Sequence, residues 1–333
     1  MSRIAKIALG VLVLLLIAFP LLVNPYTVQV AITTITYSML GLAFAFSMRV
    51  GLPRLDIGAW WGVGGYTTAL LMKTGMSFWL TALIGGIIAV ILGFLLFSIA
   101  LPRGMMAFFI FCMVLSMAFY QIFGSVPLFG GWGGILDVPA PTIGSFTFIN
   151  KPELYYMGLF FLALTLVVYY LLYNSKIGRA WAAISSSLKL ASSVGIGVVR
   201  YRMANVLIGN FFIALAGSFF VAYYRAAMPT IFSFQAGVIV MVYLIIGGFM
   251  HFLTGPILGA LIATFIPEFV SKFKGYIEYQ SIAIAVIVVL ILMFLPLGIL
   301  GWVDQRVKPW LYRKKWYWRI SRWGVKEERE IPA

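Results

Sequence analysis

Charge is scarce in this chain of 333 residues, and acid is scarcer still: 10% of the residues are charged and nine are Asp or Glu. Those nine, Asp56, Asp137, Glu153, Glu268, Glu278, Asp304, Glu327, Glu328 and Glu330, all fall at the ends of apolar runs, between them, or in the C-terminal tail. Ion-coupled carriers place ionisable groups near membrane mid-depth, where only function offsets their cost. The pattern therefore argues against ion coupling, leaving open sodium sites built from carbonyls and hydroxyls. The one cysteine, Cys112, can form no intrachain disulfide and reads as an apolar packing residue. The one histidine, His251, has no nearby partners for a metal site. No Gly-Lys-Ser/Thr phosphate loop occurs, so the chain is not expected to hydrolyse ATP. Neither paired carboxylates nor a His/Ser/Asp set lies within an apolar run, which disfavours an intramembrane enzyme.

What fills the chain instead is hydrocarbon. Hydrophobic residues make up 63% of it, in runs of roughly 17–25, the length that crosses a hydrocarbon layer about 30 Å thick. This predicts an all-α, polytopic membrane protein with about ten spans, near Ile7–Val23, Val28–Met48, Ile57–Met72, Phe78–Leu101, Met105–Phe123, Tyr155–Tyr173, Met203–Tyr224, Phe234–Phe249, Gly255–Val270 and Ile282–Trp302. The first run lacks a small-x-small cleavage site and continues into Asn24-Pro25, so it reads as a retained helix rather than a cleaved signal.

Basic residues set the orientation, because cytoplasmic loops retain positive charge. With the N-terminus inside, 19 of the 24 lysines and arginines fall inside and five outside, so both termini are expected to be cytoplasmic. The net charge of +15 then reflects topology and attraction to anionic lipid headgroups. The membrane-spanning body is expected over residues 1–301 and the tail over residues 302–333. In the tail, Trp310, Tyr312, Trp316, Tyr317, Trp318 and Trp323 alternate with Arg and Lys; directly after a span this reads as a segment in the headgroup layer rather than a nucleic-acid site. The outer connection, residues 124–154, is punctuated by Gly and Pro and is expected to be irregular.

Between two long apolar runs lies a serine-rich basic stretch, residues 174–202. Within it Trp181, Ile184, Leu188, Ala191 and Val194 recur at helical spacing, while Ser185, Ser186 and Lys189 occupy the opposite face. A short amphipathic helix is expected, starting near Gly178 and stopping at Gly195. By periodicity alone it either lies on the membrane or docks a partner. Separately, Gly58, Gly62, Gly64 and Gly65, followed by Tyr66, let helices approach closely or break, as small-residue packing does and as translocation pathways do. Pro53–Tyr66 and Pro229–Val242 echo one another, as two related halves would.

Several stretches together resemble a known family. GRAWAAISSSLKLASSVGI is similar to the cytoplasmic coupling loop of LivM-type permeases of branched-chain amino acid ABC importers. GLPRLDIGAWWGVGGYTTALLM (Gly51–Met72), GGWGGILDVPAP (Gly130–Pro141), IGGFMHFLTGPILGALI (Ile246–Ile262) and FLPLGILG (Phe294–Gly301) resemble further motifs of that family, in its order. The resemblance implies a permease of the bacterial or archaeal cytoplasmic membrane. Such a permease pairs with a second permease, two cytoplasmic ATPases that use ATP, and an extracytoplasmic solute-binding protein; the chain itself carries no cofactor and is no enzyme. It also implies that Gly178, Trp181, Ile184, Ser185, Ser186, Leu188, Lys189, Ala191 and Gly195 couple to the ATPase, and that Gly58 to Tyr66 border the pathway. Ser185-Ser186-Ser187-Leu188 stands where the family carries an Arg-Glu-Asn-Glu-like run, and Trp60-Trp61 where smaller residues or phenylalanine are common. The expected solute is a branched-chain amino acid or a related carboxylate or amide. An ion-coupled carrier of a small organic solute and a membrane-embedded enzyme or scaffold are the competing readings.

Overall fold

The computed structural model describes residues 15–144, 146–248, 251–271, 293 and 298–303. After a helical stretch at residues 15–22 and before another at 298–303, the described residues form ten α-helices: α1 (Pro25–Met48), α2 (Ile57–Lys73), α3 (Phe78–Ala100), α4 (Met105–Ser125), α5 (Lys151–Asn174), α6 (Lys176–Ser186), α7 (Leu188–Ser193), α8 (Val198–Tyr224), α9 (Phe234–Gly247) and α10 (Thr254–Ser271). Among the described residues five helices are long and apolar enough to cross a membrane: α1, α3 with its following turn, α4, α5 and α8. The helices α2 and α9, of 17 and 14 residues, are short because each is fed by an irregular proline-bearing segment. The expected first span is described only from residue 15, and most of the last span and the tail lie outside the described residues.

Burial divides the helices by role. About four-fifths of the apolar windows of α1 and α8 is buried (83% and 78%), against 33% for α3 and 28% for α4. Thus α1 and α8 form the centre, while α3 and α4 turn Leu83, Ile87, Ile91, Phe94, Ile110 and Val114 outward, as helices facing lipid do.

Lipid is as apolar as leucine, so it offers no hydrophobic drive for helix association; contact rests on close packing. Small residues provide it where α2, α3 and α8 meet. A side chain at Gly64 would strike the Ala214 backbone, one at Gly217 the Trp61 carbonyl, and one at Gly93 the Asn210 side chain. Across the same contact the Thr68 hydroxyl lies 2.8 Å from that of Ser218. The pair α9 and α10 is joined similarly, with Gly247 against Gly255 and Gly259 against the Tyr243 carbonyl.

The outer connection is less irregular than expected. It carries two 3-10 turns, a short antiparallel pairing of Thr142–Ile143 with Phe146–Thr147, and a bridge from Ile135 to Ala227. Arg225 Nε donates to the Val138 carbonyl at 3.0 Å, and Trp79 Nε1 to that of Thr142 at 3.2 Å. These bonds tie the connection to α3 and α8, satisfying backbone groups that would otherwise need water. Segments assigned to one side of the membrane adjoin one another: Lys151 bonds Gln29 on the outer side, and Gly51 neighbours Ser185 and Arg202 on the inner.

Candidate functional site

The serine-rich stretch is two helices, not one. Ser175 caps α6, its hydroxyl accepting from the Gly178 N–H at 3.2 Å. Gly178 presses on the carbonyls of Leu172 and Tyr173, where any side chain would collide, so α6 can turn sharply off α5. At Ser187 the backbone becomes extended (φ −161°, ψ 117°), and its hydroxyl accepts from Leu190 N–H to start α7. The run of three serines explains the break, because serine side chains compete for backbone partners and favour caps over helix interiors. Gly195, at φ +82°, stops the element as expected.

The apolar stripe splits with the helix. Trp181 is fully buried: its indole donates to the Tyr201 carbonyl at 2.8 Å, and its ring meets Phe46 edge-on with centroids 4.9 Å apart. Ile184 and Ala191 are buried too. These residues hold the element to the membrane domain rather than presenting a face to a partner, which corrects the expectation of one outward apolar face bearing Trp181, Ile184 and Leu188. What faces outward is Leu188 (43% exposed), Leu190 (70%) and Val194 (74%), with Ser185, Ser186 and Lys189 also exposed. Several serines are engaged locally: Ser186, Ser192 and Ser193 donate to the carbonyls of Ala182, Lys189 and Leu190.

Between α1 and α2 the chain re-enters the protein. Arg202 Nε donates to the Val50 carbonyl at 3.3 Å, and Asn205 Nδ2 to that of Phe46 at 3.1 Å. Deeper in, Arg54 donates through Nε and Nη2 to both oxygens of Asp56, at 2.7 and 2.8 Å. Trp60 Nε1 adds a third donor to Asp56 at 2.6 Å. The guanidinium also reaches the Val206 carbonyl at 3.3 Å and the side-chain oxygen of Asn210. Both charged side chains are wholly buried, and Asn210 lies near the middle of the 27-residue α8. In the sequence Asp56 stands at the end of the apolar run Ile57–Met72; the structure places that run's start inside the protein, with Asp56 buried and paired with Arg54.

Of the glycines assigned to a pathway, each meets a neighbour: Gly58 the carbonyls of Phe232 and Ser233, Gly62 the ring of Phe123, Gly64 the Ala214 backbone, and Gly65 both Phe232 and Val221. Tyr66 stacks on Phe123 with centroids 4.5 Å apart. This is close packing, the other reading of the same spacing. It brings together the starts of α2 and α9, since Gly237 in turn abuts the Leu55 carbonyl; the echo between Pro53–Tyr66 and Pro229–Val242 thus corresponds to two irregular segments whose helices meet N-terminus to N-terminus. Beside that meeting is a cavity of about 400 Å³, walled by Tyr37, Trp61, Phe220 and Tyr224 and edged by Thr230 and Gln235. Apart from the second tryptophan of the Trp60-Trp61 pair, these residues carry no periodic signal in the sequence. Among the described residues no group of His, Cys, Asp and Glu has the arrangement of a metal site.

Residues 26–297 match the family described as "Branched-chain amino acid transport system / permease component". The chain is 28% identical to the high-affinity branched-chain amino acid transport system permease protein LivM of Escherichia coli (strain K12), over 91% of this chain and 76% of that protein. It is 27% identical to LivM of Salmonella typhimurium over the same shares. It is also 33% identical to the permease protein LivH of Escherichia coli (strain K12), over 42% of this chain and 43% of that one. No solved structure matches the chain.

Proposed function

We propose a specific role for this chain, which belongs to the family of permease components of branched-chain amino acid transport systems: it is the membrane-spanning permease of an ABC importer, moved by cytoplasmic ATPases through α6 and α7. The partners are a second permease, two ATPases and an extracytoplasmic solute-binding protein. ATP is bound and hydrolysed by the ATPases, and this chain carries solute without itself being an enzyme. Similarity to both LivM and LivH favours a second permease built on related lines. The solute is a branched-chain amino acid or a closely related carboxylate or amide.

The observation that supports coupling here is the two-sided character of the element: Trp181 and Ile184 are buried in the membrane domain, while Leu188, Leu190 and Val194 stand exposed beyond it. A lever needs both, one end fixed and one end free to seat in a groove. Gly51 lies against Ser185 and Arg202, so displacement of α6 presses on the segment that leads through Arg54 and Asp56 to α2. Asp56, although buried, already accepts three hydrogen bonds from Arg54 and Trp60. Its oxygens are occupied, which favours a structural role over ion coupling.

Leu190→Asp and Val194→Asp test the reading in the assembled transporter. Exposed anchors seated in a partner groove carry about 2–4 kcal/mol each, so both variants should lose ATPase co-purification and uptake while the permease still folds. Normal co-purification with normal uptake in both would mean that α7 only lies on the membrane.

A further inference from the structure

The segment between α8 and α9, residues 225–233, is fastened at one end and loose in its middle. At the outer end it is stitched to the outer connection by four hydrogen bonds. Ile135 and Ala227 exchange backbone N–H donors at 2.8 Å each, the Val138 N–H donates to the Arg225 carbonyl at 3.0 Å, and Arg225 Nε donates back to the Val138 carbonyl at 3.0 Å. Gly134 fits against the Ala227 carbonyl, where a side chain would collide, and holds φ +71°. Asp137 and Arg225, at φ 54° and 55°, are the only non-glycine residues of left-handed backbone among the described residues, and both lie in this joint. Such backbone persists only where its surroundings enforce it, and it gathers at sites that switch.

Beyond the joint the hold changes. Among the described residues the turn Pro229–Phe232 makes no hydrogen bond to another helix; its own bond runs from the Ile231 N–H to the Met228 carbonyl at 3.2 Å. Packing keeps it seated: Phe232 is fully buried beside Gly58 and Gly65, its ring centroid 5.2 Å from that of Trp61 and 5.6 Å from that of Tyr66. The segment before α2 is held differently, since Arg202 bonds Val50 and Arg54 bonds Val206 and Asn210. A turn seated by rings can withdraw without stranding a buried donor or acceptor, whereas moving Arg54 would strand a charge. Thr230, Ile231 and Ser233 also line the cavity of about 400 Å³, so withdrawal of the turn opens its mouth. We propose that residues 134–138 and 225–228 form a rigid joint that carries movement of the outer connection, driven by the solute-binding protein, to the Pro229–Phe232 turn, which gates the cavity from outside. The inference rests on the importer reading above.

The test uses the complete transporter in proteoliposomes, with its ATPases and its leucine-loaded binding protein, and a Cys112→Ser background for the cysteine variants. Ile135→Cys/Ala227→Cys places thiols on a pair that exchanges both backbone bonds, within disulfide reach. Its oxidation should leave uptake per ATP unchanged, because the joint moves as one body. Gly134→Ala forces the joint apart; ATPase co-purification and basal hydrolysis should persist, while stimulation by the loaded binding protein falls about fivefold or more, the lower end of coupling between distant sites. Thr230→Cys, at an exposed position, should react faster with a maleimide when loaded binding protein and ATP are present. That gain should vanish when Gly134→Ala is added, a readout that a merely structural role for Gly134 would not move. If Gly134→Ala fails to assemble, Arg225→Asn takes its place: it tolerates left-handed backbone, shortens the side chain that reaches Val138, and should lower stimulation in the same direction. Full stimulation in the variant that assembles, uptake blocked by the disulfide between positions 135 and 227, or Thr230→Cys reactivity that ignores the binding protein overturns the joint. Wild-type ATPases that the loaded binding protein does not stimulate would instead overturn the importer reading, a separate outcome visible before any variant is made.

Discussion

Arg54 and Asp56 form a two-pronged ion pair, 2.7 and 2.8 Å across its two hydrogen bonds, with neither side chain reaching solvent. Lying beside the middle of α8, it pins the re-entrant segment to α2 through Trp60 and to α8 through Val206 and Asn210. A charge taken out of water is tolerated only with its partner. Arg54→Met or Asp56→Leu alone should therefore cost about 3–5 kcal/mol, because each strands a buried charge. The double variant Arg54→Met/Asp56→Leu should cost clearly less than the sum of the two. Thermal unfolding of the purified proteins in detergent measures this, and additive losses would show that the two side chains do not depend on each other.

Packing at the α2–α8 crossing leaves no room for a side chain. Gly64→Ala brings a methyl group into the Ala214 backbone, which cannot move aside as a flexible side chain can, so a loss of about 1–3 kcal/mol is expected. Gly133→Ala, in the outer connection where nothing lies within contact distance, is the control and should leave stability and uptake unchanged. Equal effects of the two substitutions would mean that the crossing tolerates expansion.

The membrane class, the helical architecture and most span limits were legible because apolar run length reports directly on the environment of a segment. Depth was not. Ile57–Met72 reads as an ordinary span, yet Asp56 at its start is buried beside mid-α8, since hydropathy reports composition and not whether a loop folds back between helices. The serine stretch failed differently: the spacing of Trp181, Ile184, Leu188 and Ala191 fits one helix, but three successive serines offer the backbone a cap, and the helix ends at Ser186. Glycine spacing identified close contacts correctly without revealing that the cavity lies beside them, because Tyr37, Phe220 and Gln235 come from three separate helices.

Sidedness follows from the basic residues and is open to a direct check. Cys112 is buried, so in a Cys112→Ser background Leu136→Cys and Lys189→Cys, both at exposed positions, report on opposite faces. An impermeant maleimide applied to intact cells should label Leu136→Cys only, and Lys189→Cys should react after the membrane is opened. Labelling of both from outside would reverse the assignment of residues 174–202 to the cytoplasm.

Anchor and contact in the coupling element should fail in different ways. Trp181 fixes α6 by packing on Phe46 and by its bond to the Tyr201 carbonyl, so Trp181→Ala removes a buried ring worth about 3–5 kcal/mol locally while leaving Leu190 and Val194 exposed on α7. Trp181→Phe gives up the hydrogen bond and keeps most of the ring, so it should be much milder. If force passes from α7 through α6 to Gly51 and Arg54, the Trp181→Ala transporter should still co-purify with its ATPases and hydrolyse ATP, yet stimulation by the loaded binding protein and solute uptake should both fall sharply. Leu190→Asp should instead lose the ATPases themselves. Uptake per ATP that stays normal in Trp181→Ala would show that the buried end of the element carries no load, and the transmission would then have to run through contacts other than Trp181.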